Sequence, residues 1–208
     1  MSRGTRIFVT GTDTDVGKTV VASALTLGLD AYYWKPIQSG LTPSTDTADV
    51  RRWTGLPDER FLPEAYRLRE PMSPHAAAEI DGVTIDVEHL LATELPTDRP
   101  VVVEGAGGLM VPLNDTDLMI DFVARLGTPV VLVARTALGT LNHTLLSVSE
   151  LRRRAIPLLG VVLNGDEHES NRRAIERYGE VAVLGRVPRL DVLDARALRL
   201  AFEGLELP

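Results

Sequence analysis

Between an apolar run, Ile7-Phe8-Val9, and a helix-forming stretch from Thr19 to Leu25, the chain reads Thr10-Gly-Thr-Asp-Thr-Asp-Val-Gly-Lys-Thr19. That order leaves little local freedom. A short buried strand must stop in a glycine-bearing turn, and the chain must then enter a helix whose first N–H groups have no intrahelical partner. Glycine at 11 and 17 removes side chains from the turn, so backbone N–H groups and the positive end of the helix dipole converge on one point. Such a concavity suits an anion. The Gly-Lys-Thr ending makes it a triphosphate loop: Lys18 would reach the β- and γ-phosphates, and the Thr19 hydroxyl would coordinate Mg²⁺. Five residues separate Gly11 from Gly17, where the standard pattern has four. A glycine turn before an ordinary helix is the alternative, and strand, Gly-Lys-Thr and helix together argue against it.

The rest of the chain repeats this alternation. Tyr32 to Trp34, Pro100 to Val103, Pro129 to Val133, Leu159 to Leu163 and Val181 to Val187 read as strands, and Pro36 should end the first of them. Helical patterns cover Asp86 to Glu94, Leu118 to Leu126 closed by Gly127, Leu141 to Arg154, Ser170 to Tyr178, and Asp191 to Leu200. Thr42 to Pro74, rich in proline, threonine and charge, reads as loops around a short helix. The expected fold is α/β: one P-loop NTPase domain over residues 1–208, with a mostly parallel central sheet of about seven strands and helices on both faces. Ligands in such sheets bind outside the carboxyl ends of the strands.

Composition narrows the partners. The 208 residues, 44% of them apolar, support one sizeable core. A net charge of −7 argues against a generic nucleic-acid binder, because no basic excess exists to displace counterions. Without cysteine there is no disulfide, thiolate zinc site or cysteine nucleophile, which suits a reducing compartment. No segment has the apolar length to span a bilayer, and no signal peptide is visible. The expectation is a soluble cytoplasmic protein without nucleic-acid or membrane partners.

Polar residues at the strand ends supply the candidates. Lys35 could add a second cation beside the γ-phosphate. Asp46 and Asp49 fall on a probable short helix; either could meet a metal, or Asp46 could cap that helix. Glu104, followed by Gly105-Ala106-Gly107-Gly108, stands where P-loop enzymes hold Mg²⁺ directly or through water, unless the segment is a structural turn. Gly139 to Asn142 open a helix that could hold a second anion, or Thr140 or Asn142 could simply cap it. Asn164 could bond a base edge or serve as a turn residue.

Seven segments together resemble the dethiobiotin synthetase family. They are Gly11 to Thr19, Lys35-Pro-Ile-Gln-Ser39, Glu70-Pro-Met-Ser-Pro-His75, Val103-Glu-Gly-Ala-Gly-Gly108, Val111-Pro-Leu113, Leu138-Gly-Thr-Leu-Asn-His143 and Asn164, in the family's order. The resemblance implies that 7,8-diaminononanoate, CO₂ and ATP give dethiobiotin, ADP and phosphate, through a carbamate and a carbamic-phosphoric anhydride. It implies catalytic roles for Lys18 and Lys35, and Mg²⁺ held by Thr19, Asp46 and Glu104. ATP would also meet Asp15, Val16, Gly17 and Val20, then Gly105, Ala106 and Gly107, with Asn164, Gly165, Pro188, Arg189 and Leu190 toward the base. Thr14, Ser39, Pro71, Val111 and Pro112 would meet the diamine. Gly139, Thr140, Leu141 and Asn142 would reach it from the partner in a homodimer whose substrate site spans the subunit boundary. The interval from Thr19 to Lys35 is shorter than the family's, implying a trimmed first helix. Partitioning ATPases are the runner-up; they typically carry a second lysine where this chain has Thr12. Cobyrinate amidases, the other relatives, need a cysteine-bearing glutaminase domain.

Overall fold

The computed structural model describes residues 4–208, so residues 1–3 of the expected unit lie outside the description. The triphosphate-loop strand, β1 (Arg6–Gly11), is the middle of the sheet. It pairs on one side with β6 (Val101–Gly108) and on the other with β7 (Val130–Arg135). Beyond β6 lie β2 (Tyr32–Trp34) and then β4 (Phe61–Leu62); beyond β7 lie β8 (Leu158–Asn164) and then β9 (Val183–Val187). The described residues thus form a seven-stranded sheet of order β4-β2-β6-β1-β7-β8-β9, with every pairing parallel. Parallel neighbours need a crossover, and each strand's return path carries helix across a face.

Side-chain alternation assigns the faces. Ile7, Val9, Val102, Val131 and Val133 pack with Val21 and Leu25 of α1 (Lys18–Gly28), Val50 of α2 (Asp46–Thr54), and Leu198 and Ala201 of α8 (Ala195–Glu203). Phe8, Val101, Val103 and Val130 turn the other way. They meet α3 (Pro74–Asp81), α4 (Val87–Leu91), α5 (Met119–Leu126) and the Leu151 end of α6 (Thr140–Arg153). Leu132, Ala134 and Val161 complete that face against α6 and α7 (Glu169–Gly179). Each buried valine, leucine or phenylalanine contributes roughly 1.5–3 kcal/mol against the entropy of ordering the chain. Among the described residues no helix is long and apolar enough to cross a membrane.

Several expectations need correction. Thr42 to Pro74 is not loops around one helix: besides α2 it carries β4, a 3-10 turn at Asp58–Arg60, and β5 (Tyr66–Leu68). Pro36 does end the first of the expected strands, since β2 stops at Trp34; what the sequence reading lacked is β3 (Ile37–Ser39), which pairs with β5 in a separate two-stranded sheet. Gly105 to Gly108 is strand, not turn, with Gly11 opposite Gly108. The last helix begins at Ala195 rather than Asp191, since the Asp194 side chain caps it by accepting from the Ala197 N–H. Gly127 closes α5 in the left-handed conformation, as its position suggested.

Candidate active site

The loop between β1 and α1 has the shape its sequence demanded. Asp15 and Gly17 both adopt left-handed backbone, φ 56° and 92°, which turns consecutive N–H groups toward one side. Gly17 is favoured for a second reason: a Cβ there would lie 2.0 Å from Asn164 Nδ2 and would have to displace that side chain. That amide donates to the Val16 carbonyl at 3.0 Å, so the end of β8 braces the loop. Asn164 is therefore neither a free turn residue nor wholly available to a base. Across the loop, Asp13 receives the Lys18 ammonium on its backbone carbonyl at 2.9 Å, while its carboxylate pairs with Arg135 at 3.1 Å.

The acidic centre is built from four elements. Glu104, on β6, is buried at 1% exposure. Its Oε1 accepts the Thr19 hydroxyl from α1 at 2.9 Å and the Lys35 ammonium at 3.0 Å, and its Oε2 accepts the Tyr33 phenol from β2 at 2.8 Å. Lys35, between β2 and β3, also donates to the Gly105 carbonyl at 2.9 Å and lies 2.5 Å from Asp46 Oδ2. Asp46 does not cap α2; Thr45 does, by accepting from the Ala48 N–H, while Gln38 Oε1 accepts the Asp46 N–H at 2.9 Å. Those two bonds fix the helix start and with it the Asp46 carboxylate. Asp49 points elsewhere, to Ser44 Oγ and Arg52.

A buried ion pair of this kind is seldom retained for stability, because desolvating both charges offsets their attraction. Burial alone would lower the Lys35 pKa, yet Glu104 and Asp46 outweigh it and the net direction is upward. Burial likewise opposes ionisation of Asp46, but Lys35 wins and holds that carboxyl below its ordinary value. For Glu104 burial dominates and pushes the carboxyl up, with Lys35 opposing. Lys18, facing a carbonyl rather than a carboxylate, is lowered by burial and then by repulsion from Lys35.

Two cavities flank the loop and share Asp15 and Val20. One, of about 650 Å³, brings together Thr14, Gly17, Lys18, Thr19, Lys35, Ser39, Asp46, Pro71, Glu104, Ala106, Gly107 and Val111. The other, of about 560 Å³, is lined by Val16, Arg135, Asn164, Gly165, Pro188, Arg189 and Leu190. Gly105 contributes its carbonyl to Lys35, and Pro112 accepts the His75 N–H at 3.3 Å. Gly139, Thr140, Leu141 and Asn142 line neither cavity; they start α6, where Gly139 is the N-cap residue and no side chain caps it. Thr140 is buried against Thr144, so the capping alternatives for Thr140 and Asn142 both fail.

The donor set fits a hard divalent cation. It consists of one hydroxyl and two carboxylates, and among the described residues no cluster of three or more His, Cys, Asp or Glu could cage a metal without help. Mg²⁺ takes few protein ligands and fills its octahedron with water and phosphate oxygens. The Thr19 proton is committed to Glu104, which leaves the hydroxyl oxygen's lone pairs for a metal. Sequence reasoning missed three supports: Tyr33, Gln38 and Arg135. Gln38 stood inside a quoted motif without a role, and the other two carry no motif signal.

A family model described as an AAA domain matches residues 5–197. The ATP-dependent dethiobiotin synthetase BioD of Rhodopseudomonas palustris strain HaA2 is 60% identical over 196 residues, covering 94% of this chain and 91% of the relative. That of Nitrobacter hamburgensis is 57% identical over 198 residues, covering 95% and 92%. The septum site-determining protein MinD of Pyrococcus horikoshii, solved with Mg-ADP, superposes with a TM-score of 0.60 at 13% identity, covering 96% of this chain and 94% of that one. At that identity the likeness is one of fold, and the sequence relatives decide the matter: the chain belongs to the ATP-dependent dethiobiotin synthetase family.

Proposed function

We propose that this ligase joins CO₂ to 7,8-diaminononanoate and closes the ring to dethiobiotin, at the expense of ATP. The observation that carries the reading is the convergence of Lys18, Lys35, Thr19, Ser39, Asp46 and Glu104 on one cavity, with a second cavity across the loop for the nucleotide's base. One substrate amine loses a proton as it captures CO₂, giving a carbamate. A carbamate oxygen attacks the γ-phosphorus and ADP leaves, forming the carbamic-phosphoric anhydride. The second amine attacks its carbonyl carbon, phosphate departs, and loss of the amine proton leaves the cyclic urea.

Two anions must approach each other in this sequence, so the difficulty is electrostatic. Lys18 binds the β- and γ-phosphates. Lys35, held at the junction of Glu104 and Asp46, stabilises charge on the transferring group and the incoming carbamate. Mg²⁺ held by Thr19, Asp46 and Glu104 would neutralise further phosphate charge when bound. Among the described residues the buried Ser39 Oγ has no hydrogen-bond partner, which supports its use by the diamine or its carbamate. Thr14, Pro71, Val111 and Pro112 would complete that subsite.

Gly139 to Asn142 lie outside both cavities, and this supports their acting on a second subunit. Leu138 is fully exposed and Leu146 is 62% exposed on the same flank of α6, which suits a homodimer contact. The deciding assay follows phosphate release with ATP, Mg²⁺ and bicarbonate, with and without 7,8-diaminononanoate, and identifies the product by mass. Release should depend on the diamine and yield dethiobiotin; turnover indifferent to the diamine would end the proposal.

A further inference from the structure

Tyr33 occupies the middle of β2, fully buried, with its ring edge-on to Phe61 at 6.2 Å between centroids. Its neighbours on the α1 side of the sheet are mostly aliphatic and aromatic, so phenylalanine would pack there equally well. The hydroxyl therefore needs its own explanation, because a buried hydroxyl is costly unless bonded. The strand register supplies one. Tyr33 stands opposite Val102 of β6, and Glu104, two residues further along, projects from the same face. Among the described residues the hydrogen bond to Glu104 Oε2 comes from Tyr33, whereas Thr19 and Lys35 both use Oε1. A carboxylate torsion is broad and nearly two-fold. With only Oε1 engaged, the group could turn and carry its two partners out of line.

We propose that Tyr33 is a positioning residue for this reaction: its phenol pins the Glu104 carboxylate so that the Thr19 hydroxyl oxygen and the Asp46 carboxylate stay aimed at a divalent cation beside ATP. The role rests on the metal reading given above.

The test measures Mn²⁺, an octahedral oxygen-seeking stand-in for Mg²⁺, by electron paramagnetic resonance in the presence of a non-hydrolysable ATP analogue. Tyr33→Phe should weaken Mn²⁺ binding about tenfold, the lower end for loss of a group that orients a metal ligand. Affinity for the analogue without metal should stay unchanged. Phe61→Leu loosens the packing around the same ring but keeps the hydroxyl; it should lower the melting temperature and leave Mn²⁺ binding intact. Unchanged Mn²⁺ affinity in Tyr33→Phe, or an equal loss in Phe61→Leu, would overturn the role of Tyr33. A wild-type protein that adds nothing to the analogue's own hold on Mn²⁺ would overturn the metal site and Tyr33 with it.

Discussion

Lys18 and Lys35 are the same side chain held in opposite circumstances. Burial disfavours the Lys35 charge, but the two carboxylates that grip it, Glu104 and Asp46, win and raise its pKa. Lys18 leans on a carbonyl, and burial with repulsion from Lys35 brings its pKa below the ordinary 10.5. The sign of the consequence follows. As pH rises through the lowered value the free protein loses the Lys18 proton, whereas bound triphosphate would raise that pKa again. ATP binding in this alkaline window should therefore take up a proton and weaken as pH climbs. Calorimetry in two buffers of different ionisation enthalpy reads the uptake directly. Lys18→Arg, which does not titrate there, should bind ATP without it; no uptake by the wild-type protein would remove Lys18 from the phosphates. Lys18, Thr19, Lys35 and Glu104 were legible because each ends or follows a recognisable strand. Tyr33 and Arg135 were not, because a tyrosine inside an apolar run looks like core and an arginine after one looks solvated. Only the fold puts their partners, 71 and 122 residues away, within reach.

The helix α2 shows how a short element aims a charge. Its Thr45 cap and the Gln38 side chain satisfy the first N–H groups, and Asp46 is its first helical residue. Thr45→Ala should cost about 1 kcal/mol of stability and raise the Mg²⁺ concentration needed for half-maximal turnover, because the Asp46 carboxylate would no longer be fixed. Thr45→Asp restores a cap and should restore both. A melting curve with a Mg²⁺ titration checks the pair, and a stability loss without any change in metal requirement would separate α2 from the site. Long elements such as β7 and α6 were readable from continuous β-branched runs or helical periodicity. The strands β3, β4 and β5 were not: Phe61-Leu62 is too short to display a period, and Ile37-Gln-Ser39 and Tyr66-Arg-Leu68 lack the unbroken aromatic run that marked β2. Leu193 misled in the other direction. It lies inside the stretch expected to be helical, yet it packs on the α1 core from a bent segment before Asp194 caps α8.

Parallel order places every strand's carboxyl end on one edge, and that edge carries the triphosphate loop, Lys35, Glu104, Arg135 and Asn164 together. The start of α6 is on the same edge but outside both cavities, and its exposed residues Gly139, Asn142 and Leu146 recur at helical spacing with Leu138 beside them. In the proposed two-fold dimer this flank would reach the site of the other copy, and that proposal makes a demand a monomer cannot meet. Asn142→Ala and Lys35→Gln should each be nearly inactive alone, the first through poor diamine binding and the second through slow phosphoryl transfer. Mixed after unfolding and refolding together, half of the dimers would pair one variant with the other. Each such dimer holds one site with Lys35 from one chain and Asn142 from its partner, and one site lacking both. Activity should return to about a quarter of the wild-type value per chain, by random pairing at two sites in a two-fold dimer. Equilibrium sedimentation of the same mixture establishes that dimers formed. Dimers without recovered turnover would mean that each subunit completes its own diamine site.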